Sequence, residues 1–234
     1  MLTPPAVRPP DSIVFALPKG RILAELRPLM MSAGLHPSAS FDDPDDRALQ
    51  FASNVDNLSL VRVRSFDVAS FVAFGAADIG VCGNDVLAEF DYSEVYAPLD
   101  LGIGRCRMAV ACPRALIDAD EPERWSHIRV ATKYPEITRR HFARRGVQAE
   151  CIKLSGAMEL APRLGMCRRI VDLVESGSTL RANGLVEVET IMQVSSRLIV
   201  NRAALKTRPQ AIGAWIERFR RACAERDGAG PPAG

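Results

Sequence analysis

The stretch Ile170-Val171-Asp172-Leu173-Val174-Glu175-Ser176-Gly177-Ser178-Thr179-Leu180-Arg181 reads as a strand that stops at a polar, glycine-containing turn and re-enters a helix. Residues 170–174 form a β-branched and aliphatic run of the length of a buried parallel strand, interrupted only by Asp172. In Ser176-Gly177-Ser178-Thr179, small residues let backbone N–H groups converge on an anion, with hydroxyls beside them and the positive end of a helix behind. Asp172 and Glu175 set two carboxylates at the same edge. Carboxylates repel bare phosphate, but they suit a ligand that also carries sugar hydroxyls or arrives with Mg²⁺. A sugar phosphate meets both conditions. Taken alone, the segment equally suits an ordinary strand-turn-helix connection with a serine N-cap, so other stretches decide.

The totals narrow the class of ligand. With 234 residues, 47% hydrophobic and 25% charged, the chain has an ordinary globular balance, enough for one large domain or two small ones. A net charge of +2 and a pI of about 8.3, with no Lys/Arg block interleaved with aromatics, argue against nucleic acid or a membrane surface as partner. Residues 1–10 lack a basic start and an apolar core, and no apolar run reaches the roughly 18 residues of a membrane span, so a cytoplasmic protein without a signal peptide is expected. The cysteines at 82, 106, 112, 151, 167 and 223 form no CxxC pair and sit in apolar company, as reduced core residues do. His36, His127 and His141 are isolated and read as surface or packing residues.

In chain order, residues 12–17 form a buried-strand run ending at Pro18-Lys19-Gly20-Arg21, and helical apolar spacing follows over 22–31. Lys19 and Arg21 thus stand at the carboxyl edge of a strand, where open α/β sheets bind ligands. The acidic residues around Pro44 lack metal-loop spacing and predict a solvated turn. Residues 58–64 read as a strand that delivers Arg62 or Arg64 to another edge; Arg64, last before the turn, is preferred. A short helix over 68–75, a strand over 77–83 and a helix to Phe90 come next, with Gly83 and Asp85 at the intervening turn. Asp78-Ile-x-x-x-Gly83 echoes Asp172-Leu-x-x-x-Gly177, which suggests two α/β lobes of related architecture. A crossing near residues 101–112 leads to a strand over 128–132, a helix over 136–145, a short strand over 151–154, and a helix over 157–164 that must kink near Pro162, with Glu159 in its first turn. Residues 185–200 read as further strand returning to the first lobe, and a C-terminal helix from 209 to about 225 carries Ile212, Trp215, Ile216 and Phe219 as a stripe for the core or a subunit interface.

The blocks Ala16-Leu-Pro-Lys-Gly-Arg-Ile22, Arg64-x-x-Asp67, residues 75–87, Ser155-Gly-Ala-Met-Glu-Leu-Ala-Pro162 and residues 171–185 together resemble the HisG family, in particular its short-form ATP phosphoribosyltransferase catalytic subunits. The resemblance runs from about residue 12 to about residue 202. It implies an α/β fold of two lobes with a central cleft, like type II periplasmic binding proteins, with lobe I formed by 12–102 plus 190–226 and lobe II by 103–189. It also implies the first step of histidine biosynthesis, in which ATP and phosphoribosyl pyrophosphate give N1-phosphoribosyl-ATP and pyrophosphate. Long members of the family carry a C-terminal histidine-sensing domain, for which this chain is too short. The short form implies a regulatory subunit similar to histidyl-tRNA synthetase and a homodimer within a hetero-oligomer. Met158 and Arg163 stand where the family tends to have aliphatic residues, and Cys167-Arg168-Arg169 replaces a blander helix.

On this resemblance Asp172, Glu175, Ser176, Gly177, Ser178, Thr179 and Leu180 hold phosphoribosyl pyrophosphate. Lys19, Arg21 and Arg64 are the catalytic cations that neutralise pyrophosphate or ATP phosphates. Gly83, Asp85 and Glu159 fall to ATP, and Mg²⁺ is a cofactor held mainly by substrate rather than by the protein. Displacing pyrophosphate from an anomeric carbon builds oxocarbenium-like charge, so catalysis rests on positioning and electrostatics. Adenine N1 is itself the nucleophile and no strong base is needed. Two rivals share parts of the pattern. A non-catalytic binding module of the periplasmic type would have the same lobes, and a type I phosphoribosyltransferase has a loop like 171–180 but a second acid where Leu173 stands.

Overall fold

The computed structural model describes residues 9, 11–43, 45–117 and 125–228. Its strands are β1 (Ile13–Pro18), β2 (Gln50–Ala52), β3 (Leu58–Val63), β4 (Ile79–Gly83), β5 (Val95–Asp100), β6 (Cys106–Pro113), β7 (His127–Thr132), β8 (Gln148–Lys153), β9 (Arg169–Val174), β10 (Leu185–Val194) and β11 (Ser196–Asn201). The helices are α1 (Arg21–Ser32), α2 (Ser65–Ala73), α3 (Asn84–Phe90), α4 (Pro135–Ala143), α5 (Leu160–Arg163), α6 (Ser178–Ala182), α7 (Arg202–Thr207) and α8 (Pro209–Gly228). The chain divides into two compact units. One gathers residues up to 86, 92–104 and from 196 onward, and the other takes 87–91 and 105–195.

The first unit is built on a six-stranded sheet of order β2-β3-β1-β4-β11-β5. β1 is an unbroken apolar run and every residue of it is buried, as a central parallel strand covered on both faces requires. It pairs in parallel with β3 and β4, so the carboxyl ends of three neighbouring strands share one edge. The α8 stripe closes the core of this unit, with Ile212 and Phe219 fully buried and the rings of Phe15 and Phe219 edge to face at 5.6 Å. The stripe is therefore core.

The second unit has a five-stranded sheet of order β10-β6-β9-β7-β8, in which β9, β7 and β8 pair in parallel and β6 pairs antiparallel with both β9 and β10. Residues 185–200 are two strands rather than one. β10 stays paired to β6 as far as Val194, so the return to the first unit falls between residues 195 and 196 and not at 190. The expected helix over 157–164 shrinks to the four residues of α5, because Pro162 and the left-handed Gly165 (φ 72°) leave no room for a second turn. Residues 167–169 lead straight into β9, whose first residue Arg169 is buried with its guanidinium 4.1 Å from the centre of the Trp125 ring.

The apparent repeat dissolves in the structure. Asp78 precedes β4, is 3% exposed, and accepts the Val14 N–H at 2.8 Å and an ion pair from Arg208, whose Nη1 also donates to the Ser12 carbonyl at 2.6 Å. Asp172 instead lies inside β9. The first aspartate braces strands, while the second lines a polar pocket. Among the described residues no helix is long and apolar enough to cross a membrane. The six cysteines are all free thiols, four of them buried.

Candidate functional site

In the second unit, Glu159 and the continuous run 172–180 line a pocket of about 350 Å³ with a mostly polar wall. β9 delivers Asp172 near its carboxyl end, and Gly177 turns the chain into α6 at φ 71° and ψ 9°, the left-handed region where a side chain would be strained. The hydroxyls of Ser176 and Ser178 lie 3.0 Å apart, and Ser178 N–H donates to Ser176 Oγ at 3.3 Å. Among the described residues the N–H groups of Gly177, Thr179 and Leu180 find no acceptor. That is the donor arrangement an anion needs. α6 has only five residues, so those donors, not a macrodipole, supply the attraction.

Burial pushes the Asp172 carboxyl above the usual carboxylate range, the Glu159 charge adds to the rise, and the Leu173 N–H at 2.8 Å and Lys133 oppose it. A ligand bearing hydroxyls or a cation relieves two half-buried acids; a bare phosphate does not. Lys133 was not singled out from the sequence. It follows β7, whose Thr132 is in register with Val171, just as Lys19 follows β1. A lysine directly after a buried strand run was the available signal. β8 ends on the same edge, with Leu154 N–H bonded to the Thr132 carbonyl at 3.0 Å.

In the first unit Lys19 follows β1, Arg64 follows β3, and Gly83 ends β4, so these three stand along one sheet edge. Lys19 N–H donates to the Val63 carbonyl at 2.9 Å, tying the first two ends together, and both cationic side chains are exposed. Arg62 is engaged elsewhere: it donates to the Phe41 carbonyl at 2.8 Å and lies over the rings of Phe41 and Phe51 at 5.3 and 4.8 Å. Arg64, exposed and one residue past the end of β3, is left for the edge. Arg21 opens α1 with Nε 3.7 Å from Glu25, whose other oxygen accepts Gly104 N–H at 2.7 Å. Asp85 is 4% exposed and folds back so closely that a Cβ on Gly83 would meet its Oδ1 at 1.9 Å. Glycine is obligatory there, and Asp85 shapes the turn from within.

The expected residues thus fall into two sets. Glu159 joins the 172–180 pocket rather than Gly83 and Asp85, while Lys19, Arg21, Arg64, Gly83 and Asp85 belong to the other unit. The start of α4 is already filled, since Glu89 accepts Glu136 and Ile137 N–H at 3.0 Å each. A larger pocket of about 570 Å³ lies where β7 and β9 begin, lined by Trp125, Arg129 and Arg169, and holds none of the expected residues. Among the described residues no three His, Cys, Asp or Glu side chains are grouped to hold a metal.

Comparisons with known proteins bear on the family and the fold. The family model described as HisG: ATP phosphoribosyltransferase matches residues 64–221. An ATP phosphoribosyltransferase of Paramagnetospirillum magneticum is 66% identical over 215 residues, covering 92% of this chain and 98% of that one. One from Rhodospirillum rubrum is 68% identical over 213 residues, 91% and 94% of the two chains. Among solved structures, the ATP phosphoribosyl transferase (HisG:HisZ) complex from Thermotoga maritima matches with a TM-score of 0.76 at 27% identity, over 91% of this chain and 99% of that one. The periplasmic aliphatic sulphonate binding protein SsuA of Escherichia coli shares the fold, with a TM-score of 0.56 at 14% identity over 94% and 71% of the chains. Two mixed α/β sheets of the type II periplasmic-binding kind, a polar loop at a strand's carboxyl end, and relatives matched nearly end to end lead to one conclusion: this chain belongs to the HisG family of ATP phosphoribosyltransferases.

Proposed function

We propose that the family's reaction, the first step of histidine biosynthesis, is carried out here with the 172–180 loop holding the phosphoribosyl group of phosphoribosyl pyrophosphate. The observation that carries this reading is the pocket itself, where unsatisfied backbone donors, hydroxyls and half-buried carboxylates sit side by side. The N–H groups of Gly177, Thr179 and Leu180 and the hydroxyls of Ser176, Ser178 and Thr179 receive the 5′-phosphate. Asp172, Glu159 and Glu175 accept from ribose hydroxyls and face the positive charge that grows on the sugar. Lys19, Arg21 and Arg64 are assigned to neutralising the diphosphate, and Lys133 is a cation beside Asp172 within the second unit. ATP is assigned to the edge shaped by Gly83 and Asp85. Adenine N1 attacks the anomeric carbon as the bond to the diphosphate oxygen breaks, so the nucleophile is neutral and no side chain need take a proton before attack.

The donor set suits Mg²⁺ carried in by the diphosphate, because Asp172 and Glu159 offer at most two carboxylates, the share such an ion takes from protein. Bound there, the ion supplies charge neutralisation on the leaving diphosphate. The reading extends to a homodimer within a hetero-oligomer that includes a regulatory subunit similar to histidyl-tRNA synthetase, in the cytoplasm. The Thermotoga structure, a HisG:HisZ complex, supports the partner. The test is to mix the purified chain with ATP, Mg²⁺ and phosphoribosyl pyrophosphate and follow the ultraviolet change of N1-alkylated adenine, with and without that subunit. Product is expected in at least one arm; none in either arm, from folded protein, contradicts the reading.

A further inference from the structure

Two arginines grip the outer side of the phosphate loop. Arg107 on β6 donates through Nη1 to the Glu175 carbonyl at 3.0 Å, while its Nε lies 2.8 and 2.9 Å from the two carboxylate oxygens of Glu187 on β10 and its Nη2 is 2.5 Å from Oε2. Arg181 on α6 donates through Nη1 to the Ser176 carbonyl at 3.0 Å. In a trans peptide the carbonyl and the next N–H point in opposite directions. Holding the carbonyls of Glu175 and Ser176 outward therefore turns the N–H groups of Ser176 and Gly177 the other way.

We propose that Arg107, locked by Glu187, and Arg181 are positioning residues that set the donor geometry of the phosphate loop without touching the substrate. This rests on the reading that the loop binds the phosphoribosyl group. Glu187 neutralises Arg107, so its contribution is direction rather than charge. The fork matters because Nε and Nη2 hold the Glu187 carboxylate side-on while Nη1, fixed in the same plane, aims at the Glu175 carbonyl, a geometry that a point-like ammonium on a flexible stem does not reproduce.

The test compares Arg107→Lys, Arg107→Gln and Glu187→Gln with wild type in KM for phosphoribosyl pyrophosphate, KM for ATP, kcat and thermal midpoint. Loss of a hydrogen bond to a charged donor predicts a rise of about tenfold or more in KM for phosphoribosyl pyrophosphate in both Arg107 variants, with KM for ATP within about twofold. Glu187→Gln should show a smaller rise in the same KM, and adding it to Arg107→Gln should cost nothing further, since both act through one carbonyl. Should Arg107→Lys match wild type, or both KM values rise together with a lowered midpoint, the positioning role is overturned. If the Arg107 variants do not fold, Glu187→Gln decides, because an unchanged KM there overturns it too. Ser178→Leu/Thr179→Leu separates the layers: a double variant that still binds phosphoribosyl pyrophosphate removes the loop reading, whereas lost binding beside a normal Arg107→Lys removes only the clamp.

Discussion

Asp172 carries a stability cost that follows from where β9 places it. Its carboxyl is held above the usual range, first by burial and then by Glu159, so the folded state holds the proton more tightly than the unfolded chain does. The stability associated with that proton is present below the ordinary carboxylate range and is lost as pH rises through the raised value. Asp172→Asn should therefore melt at a higher temperature than wild type at pH 7, with the difference closing in acid, while turnover falls by about tenfold or more. Calorimetry across pH, paired with the ultraviolet assay, checks both signs. Arg62 and Arg64 make the complementary case. Arg62→Ala should lose about 1–3 kcal/mol in denaturant titration, because it removes a carbonyl bond and two ring contacts, with activity per folded molecule kept. Arg64→Ala should stay within about 0.5 kcal/mol of wild type and lose turnover.

At the scale of elements, legibility followed burial. β1, β3, β4, β7 and β9 are apolar runs with glycine or polar residues at their ends, and each was readable to within a residue or two. β2 has three residues and only one of them buried, while β5 is an edge strand with mixed exposure around Pro98, so neither carries a period. The turn at 175–178 was readable because its chemistry is local. The parts supplied by distant residues were not: Lys133, Arg107 and the Glu89 cap depend on which strands and helices become neighbours. Gly177→Ala forces a side chain into the left-handed region and should cost about 1–2 kcal/mol by chemical denaturation while weakening phosphoribosyl pyrophosphate binding. Phe219→Ala, which empties the α8 contact with Phe15, should cost about 3–5 kcal/mol with no direct effect on that binding.

Over the whole molecule, the two units divide the labour. The second presents a nearly continuous set, Glu159 with 172–180, around backbone donors with no acceptor among the described residues, while the first lines up Lys19, Arg64 and Gly83 along the carboxyl ends of three parallel strands. Charged substrates account for both choices. On the proposed reading, fixed N–H groups would read a terminal phosphate by shape and exposed cations would neutralise a leaving diphosphate as its charge develops. The echo between Asp78 and Asp172 goes with two α/β units but does not extend to the two aspartates' roles: the same short pattern braces one sheet and furnishes the other's pocket. The most direct measurement is calorimetric titration of phosphoribosyl pyrophosphate, in Mg²⁺, into wild type and into Ser178→Leu/Thr179→Leu, with ATP titrated into both as the control. The account predicts that the variant loses about tenfold or more in affinity for phosphoribosyl pyrophosphate while ATP affinity and fold are retained; equal affinity in the two proteins would contradict it.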